Sequence, residues 1–382
     1  MSTAVPTLTP VSRNGYIDSL RGWSILGVVC VHFAGSFVTT DLHAWSPSFH
    51  LGLLLNQTFS FAVPLFVFLS GLLAGASRST STLSEYYAGR FSRIVVPYLI
   101  ASVPSFFLLN HYTEWQVLPS LGAKLLWLVQ RVGFYGVEPT LYFIPLILQL
   151  YLLQPVLKSL PSWLSRLRPS TGLAGGAVLF SLLFLLLHIA LGLLCNRGTL
   201  NYYVWGRPNF LFWLFYFFAG LHHRTLAGLV SRRTMQVLGA LALLIAISAM
   251  AWNFHQLLDR TIVGAHFELN RLDFAYARPE MLVFDLAVVF FLTSGISLGW
   301  PAGENAISYL GRYTLEIYLW HILLLYYGAW RYPEVLAACR SLPELIVIIC
   351  ATAAFVIAVF TDVRRRLVGY CSKHRLVVVP AE

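Results

Sequence analysis

Long apolar stretches separated by short polar segments recur along the whole chain. A helix needs about 20 predominantly apolar residues to cross a hydrocarbon layer of about 30 Å. Ten stretches reach that length or come close to it, so the pattern predicts membrane-spanning helices at about 18–38, 52–76, 91–110, 140–160, 173–195, 208–222, 235–254, 280–299, 308–329 and 343–362. The sixth stretch is short, but it is too rich in Phe, Leu and Trp for a loop. We expect an all-α, polytopic membrane protein.

The composition excludes a soluble protein of this length. Of the 382 residues, 58% are hydrophobic and 11% are charged, whereas soluble domains have about 25% charged residues. The formal net charge of +10 comes from basic residues spread between the predicted spans, so we expect no nucleic-acid partner. With both termini in the cytoplasm, the cytoplasmic segments carry more Lys and Arg than the outer ones, which is the positive-inside bias.

The predicted membrane domain covers residues 16–362. A polar cytoplasmic tail, residues 1–15, precedes it, and a basic cytoplasmic tail, residues 363–382, follows it. The first span is longer than the apolar part of a signal peptide, so we expect it to be retained. The five cysteines have no CxxC or metal-ligand spacing, and we expect neither a disulfide framework nor a metal site.

Two ionisable residues of the first predicted span, Arg21 and His32, are eleven positions apart. Eleven steps of an α-helix return to within about 20° of the starting direction and rise by roughly 16 Å, so both side chains lie on one stripe. An ionisable group in hydrocarbon costs at least roughly 2.5 kcal/mol. We therefore predict that this stripe faces a polar cavity, which would be the active site.

An imidazole titrates near neutral pH, and His32 is therefore the candidate general base of that cavity. The alternatives are structural. Arg21 lies near the cytoplasmic end of its span and can act as a snorkelling anchor. His32 can simply form a hydrogen bond with a neighbouring helix.

Two further arginines, Arg90 and Arg93, lie on the cytoplasmic side where the third predicted span begins. One turn apart on a helix, they can present two guanidinium groups to one phosphorylated ligand. An ordinary positive-inside anchor is the alternative.

Glu316 lies about two turns inside the ninth predicted span. A buried carboxylate without a partner is strongly disfavoured, so we predict a cationic or hydrogen-bonding neighbour. Trp320 shares the side of Glu316, whereas His321 points about 140° away around the helix, and structural packing is the alternative for this histidine. Asp285, in the eighth span, is a further intramembrane acid near the predicted polar interior.

Together these segments resemble the integral-membrane acyltransferase family 3, over about residues 16–360. The resemblance rests on Arg21 and His32 after Asp18-Ser-Leu, and on the runs Phe66-Val-Phe-Leu-Ser-Gly71, Arg90-x-x-Arg93 before Pro97, Leu141-Tyr-Phe-Ile-Pro and Leu315-Glu-Ile-Tyr-Leu-Trp-His321. Family members transfer acyl groups, usually acetyl, to sugars of surface polysaccharides. Many carry an Asp seven residues before the glycine of the Ser-Gly pair, where this chain has Pro64.

The resemblance implies an acyl-CoA donor that enters from the cytoplasm. It assigns the binding of the CoA phosphates to Arg21, Arg90 and Arg93. His32 would activate the acceptor hydroxyl or relay its proton, and Glu316 would orient a cationic partner or the sugar. The further site candidates are Asp18, Tyr142, Trp320, His321 and Asp285.

We therefore expect a bacterial inner-membrane O-acyltransferase that moves acetyl from cytoplasmic acetyl-CoA to a sugar hydroxyl of an exopolysaccharide, an O-antigen or a lipid-linked glycan. Membrane lipids surround such an enzyme, and polysaccharide-assembly proteins are candidate partners. Direct transfer and a covalent acyl-enzyme both remain open. A succinyltransferase of the same family would need an additional basic group for the distal carboxylate. A glycan transporter or flippase is the alternative from another class, because buried His, Arg and Glu also mark substrate pathways.

Overall fold

The computed structural model describes residues 15–40, 46–76, 82–109, 111–262, 275–301 and 303–375. Within these ranges every regular element is a helix and none is a strand, which confirms the predicted all-α fold. Residues 1–14 of the predicted N-terminal tail and residues 376–382 of the predicted C-terminal tail lie outside the described residues.

The helices of the first half of the chain are α1 (Gly15–Thr40), α2 (Pro47–Thr58), α3 (Ala62–Ala76), α4 (Leu83–Arg90), α5 (Val96–Leu108), α6 (His111–Gln116), α7 (Leu121–Gln130), α8 (Phe143–Leu167) and α9 (Gly172–Asn196). Those of the second half are α10 (Tyr202–Trp205), α11 (Phe210–Leu221), α12 (His223–Ala227), α13 (Arg232–Ile262), α14 (Pro279–Leu298), α15 (Ala306–Gly311), α16 (Thr314–Ile322), α17 (Gly328–Arg331), α18 (Pro333–Ser341) and α19 (Glu344–Arg375). Several are joined by short 3₁₀ turns or by the π-helical turns Phe91–Val95, Arg131–Tyr135 and Leu323–Tyr327.

Eight helical segments in the described part of the chain are long and apolar enough to cross a membrane. Two shorter apolar segments, α11 and Thr314–Leu325, coincide with the remaining predicted spans. Each of the predicted spans therefore corresponds to helical structure.

The bounds of some spans differ from the prediction. The third begins at Leu83 rather than near residue 91, because α4 runs through a π-helical turn into α5. The last helix, α19, continues to Arg375. Residues 363–375, which begin the predicted basic tail, are therefore helical and continue the last helix.

Helix α1 lies near the centre of the bundle. In its apolar part 67% of residues are buried, against 22% in the segment Leu83–Leu108. Its backbone passes very close to α15, because a Cβ on Gly22 would overlap the carbonyl oxygen of Ile307 and a Cβ on Gly311 would overlap that of Asp18. Small residues permit such close approach between membrane helices. The contact brings the cytoplasmic end of α1 to the start of α16.

Replacing Gly311 by alanine is expected to destabilise the protein, because the new methyl group meets backbone atoms of α1 that cannot rotate away. We expect a cost of about 1–3 kcal/mol, typical of overpacking, and a lower thermal unfolding midpoint in detergent. The matched control is Gly89→Ala in α4, where a Cβ meets no atom within 4 Å. That change should be neutral or stabilising. Equal midpoints for the two variants would contradict the close approach of α1 and α15.

The Ser-Gly pair that the sequence places in the second span lies at a second close crossing. A Cβ on Gly71 of α3 would overlap the carbonyl oxygen of Phe217, and one on Gly220 of α11 would overlap that of Phe68. The helices α3 and α11 therefore approach each other backbone to backbone. The absence of a side chain at each glycine permits this close packing.

Candidate active site

Arg21 and His32 both turn toward the same neighbouring helix, α16. The Nη2 atom of Arg21 donates a hydrogen bond to Oγ1 of Thr314, at 2.8 Å. The imidazole of His32 lies 5.4 Å from that of His321, measured between ring centroids. The prediction that the two ionisable side chains of the first span share one side of their helix is confirmed.

The Arg21 guanidinium lies in a polar layer at the N-terminal end of α1, which is the predicted cytoplasmic end. Its Nη1 atom is 3.7 Å from Oδ1 of Asp18, one turn earlier. Both Asp18 and Thr314 are buried. A carboxylate and a hydroxyl therefore orient a cation that keeps 27% of its side-chain surface exposed, and Arg21 is accessible to a ligand at this end of the helix.

His321 supplies an unpaired nitrogen beside His32. Its Nδ1 atom lies 2.7 Å from the carbonyl oxygen of Tyr318 and 3.1 Å from that of Ile317. Because a carbonyl only accepts, these contacts assign the proton to Nδ1 and leave the lone pair on Nε2. Nε2 is buried and has no hydrogen-bond partner among the described residues. The pair of rings therefore offers a proton acceptor inside the bundle.

Tyr318 connects the histidine pair to the start of α8. Its hydroxyl donates to the carbonyl oxygen of Thr140 at 2.5 Å and accepts from the amide of Phe143 at 3.2 Å. Between these two residues lies Tyr142, which is 4% exposed. The guanidinium carbon of Arg207 lies 4.4 Å from the centre of the Tyr142 ring. The polar interior thus continues from the histidines toward the outer side.

A cavity of about 420 Å³, named the outer cavity because its lining belongs to or borders the predicted outer segments, opens beside Tyr142 and Arg207. It lies between the segment that follows α7, the turn before α8 and the loop before α11. Its polar and aromatic lining includes Trp127, Arg131, Tyr135, Tyr142, Tyr203 and Arg207. Tyr142 contacts Arg207 and lies beside the residues that hold Tyr318, whose ring is 5.8 Å from that of His321, so these side chains connect the cavity with the histidine pair.

The family model described as an acyltransferase domain, that of acyltransferase family 3, matches residues 14–366, nearly the whole chain. The chain belongs to acyltransferase family 3. No curated protein and no solved structure matches it. This acyltransferase therefore carries Arg21, the histidine pair and the outer cavity within one membrane domain.

The two arginines of the Arg-x-x-Arg run are held differently in this acyltransferase. The guanidinium of Arg90 lies over the rings of Tyr151, at 4.1 Å, and Tyr86, at 5.3 Å. Arg93 is exposed and lies in the π-helical turn Phe91–Val95. The wider turn rotates Arg93 away from the direction it would have on a regular α-helix. Only Arg90 reaches α8, and whether the two bind one ligand stays a prediction.

Glu316 of the acyltransferase has the cationic partner that its position requires. Its Oε1 accepts a hydrogen bond from Nη2 of Arg365 in α19, and the guanidinium of Arg365 also lies over the ring of Tyr313. The prediction of a cationic neighbour is confirmed. The pair lies near the cytoplasmic end of α16, more than one turn from His321, and it ties α16 to the last helix.

The remaining two candidates are Trp320 and Asp285. Trp320 is 36% exposed, on the outside of α16. Asp285 is 1% exposed and accepts a hydrogen bond from Oγ of Ser60 at 2.6 Å. This contact links α14 to the second span and gives the carboxyl group a structural partner.

Sequence reasoning missed Arg207. It lies just before the sixth predicted span, where a basic residue is consistent with an ordinary loop between spans. A signal was present in the aromatic residues Tyr202, Tyr203 and Trp205 just before it. The contact with Tyr142 joins residues 65 positions apart, and nothing in the local pattern indicates it.

Proposed function

We propose that this acyltransferase is an inner-membrane O-acetyltransferase that moves acetyl from cytoplasmic acetyl-CoA to a sugar hydroxyl of an exopolysaccharide, an O-antigen or a lipid-linked glycan. The observation that carries the proposal is the shared orientation of Arg21 and His32 toward α16. In this orientation the Arg21 cation would lie near the cytoplasm, and the imidazoles of His32 and His321 would lie deeper in the bundle. A thioester made in the cytosol and an acceptor outside need such an arrangement.

The donor would bind through its phosphates at the cytoplasmic side. Arg21 is oriented by Asp18 and Thr314, and Arg90 and Arg93 lie in the first three turns of the third span, at its predicted cytoplasmic end. Guanidinium groups match phosphate oxygens through paired hydrogen bonds. With the phosphates there, the long pantetheine arm would carry the thioester into the bundle toward the histidines.

The transfer step would use the histidine pair as the base. The acceptor hydroxyl gives its proton to an imidazole nitrogen while its oxygen attacks the thioester carbonyl. The new C–O bond forms, the C–S bond breaks, and the CoA thiolate takes up the proton from the imidazolium. General base catalysis of this kind contributes about 10²–10⁴-fold, and positioning of the donor and the acceptor adds more.

The proposal is tested with the purified full-length protein, labelled acetyl-CoA and a surface glycan from which esters have been removed by alkali. We expect label in the glycan that alkali releases again. Labelled succinyl-CoA in a parallel reaction distinguishes the succinyltransferase, for which Arg207 would be the additional basic group. Absence of an ester with either donor, together with movement of the glycan across proteoliposomes, would favour the transporter and contradict the proposal.

Replacing Arg90 and Arg93 together by alanine is expected to weaken acyl-CoA binding about tenfold, as for the loss of charge-assisted hydrogen bonds. The loss should shrink as salt is raised, because ions screen charges at the protein surface. Binding is measured by titration calorimetry with desulfo-CoA. The control is Arg224→Ala, an exposed cytoplasmic arginine on α12. Unchanged affinity in the double variant would leave both arginines as topology anchors.

A further inference from the structure

The outer cavity has the size of a small-ligand site. Its volume of about 420 Å³ falls within the range of about 300–1,000 Å³ that such sites occupy. Trp127, Tyr135, Tyr142 and Tyr203 give it aromatic walls. Aromatic side chains with a polar tip suit a ligand that has an apolar face and hydroxyl groups, which is the character of a sugar ring.

The charge of the cavity is one-sided. Two arginines, Arg131 and Arg207, line it, and its described lining contains no Asp or Glu. The charge of Arg131 is partly offset by Glu114, whose Oε2 lies 3.8 Å from Nη2. An anion entering this cavity would therefore meet attraction from both guanidinium groups and no facing carboxylate.

Arg207 is the stronger of the two anchors. No carboxylate of the described residues lies within 4.0 Å of it, and its Nε atom is buried without a hydrogen-bond partner in the described part of the chain. Its guanidinium lies against the face of the Tyr142 ring, an aromatic contact that orients the group without neutralising its charge. A cation that no carboxylate neutralises, with its Nε atom buried without a partner, favours the binding of an anion.

We propose that this cavity binds the acceptor through an acidic group on the sugar, a carboxylate or a phosphate, held by the guanidinium of Arg207. The inference rests on the proposed function in that it takes the acceptor to be the ligand. Tyr142, which contacts Arg207, lies beside the residues that hold Tyr318, and the Tyr318 ring is 5.8 Å from that of His321. A sugar anchored by its acidic group at Arg207 would keep its other hydroxyls on the side of the histidine pair.

The test is direct binding to the purified full chain, without acyl-CoA, by titration calorimetry. The probes are a tetrasaccharide of hexuronic acid, the same tetrasaccharide after reduction of its carboxyl groups to neutral hydroxymethyl groups, and a phosphorylated oligosaccharide of equal length. We expect the uronate or the phosphorylated probe to bind at least about tenfold more tightly than the neutral one, and the difference to fall with salt. The arm that shows the preference identifies the acidic group.

Two variants assign the preference to one side chain. Arg207→Gln should remove it, whereas Arg197→Gln, at an exposed arginine of the same outer segment, should retain it. Thermal unfolding reports whether the Arg207→Gln variant is folded. If it is unfolded, the affinities of the unsubstituted protein for the acidic and neutral probes decide whether the cavity prefers an acidic sugar. Equal affinity for acidic and neutral probes, or a preference that survives in folded Arg207→Gln, would overturn the inference. Ester formation on a neutral glycan alone would overturn it as well and leave the proposed function standing.

Discussion

Replacing His32 by glutamine is expected to lower the rate of acyl transfer by about 10²–10⁴-fold, the contribution of a general base. Glutamine keeps the approximate length and a polar tip but has no nitrogen that takes up a proton. The neighbouring ring of His321, 5.4 Å away, loses its partner while the helix contact remains. The measurement is the initial rate of label transfer from acetyl-CoA at saturating donor.

The matched control is His255→Gln, at an exposed histidine of α13, which should keep full activity. Thermal unfolding and gel filtration in detergent establish that the His32 variant is folded. A folded His32→Gln protein with an unchanged rate would remove this histidine from the chemistry.

Replacing His321 by asparagine has the second largest expected effect, a fall of about 10²-fold in kcat. The asparagine amide can still donate to the carbonyl oxygens of Ile317 and Tyr318, as Nδ1 does now. It lacks the lone pair at Nε2. The KM for acetyl-CoA should stay nearly constant, because the donor phosphates would bind at the cytoplasmic side.

A double variant separates shared from independent roles. If His32 and His321 act as one unit, the double variant loses little more than the worse single variant. A loss equal to the product of the two single losses would show that they act independently. An unchanged kcat in folded His321→Asn would leave this histidine with structural packing alone.

The fold was predictable because each span is set by local composition. The periodicity of one helix predicted that Arg21 and His32 lie on the same side of it. This prediction does not depend on which other helices pack against that side. The kind of partner that Glu316 requires followed from the cost of a buried carboxylate. The sequence did not indicate that this partner is Arg365, because 49 residues separate it from Glu316 and only the packing of α16 against α19 brings the two together.

The parts that sequence reasoning did not reach depend on local distortion or on tertiary contact. A π-helical turn separates the directions of Arg90 and Arg93, and regular helical spacing cannot indicate it. His321 meets His32 because the glycine contacts draw α1 toward α15 and α16. Arg207 joins the site through Tyr142, although its own segment has the composition of an ordinary outer loop.

The most direct measurement of the central claim is a cryo-electron microscopy structure of the protein with an unreactive acetyl-CoA analogue, in which a methylene group replaces the thioester sulfur. We expect phosphate density beside Arg21 at the cytoplasmic side and the acetyl carbonyl beside the rings of His32 and His321. A structure in which the acetyl group lies away from both histidines, or the phosphates lie at the outer cavity, would contradict the proposed roles of Arg21 and the histidine pair.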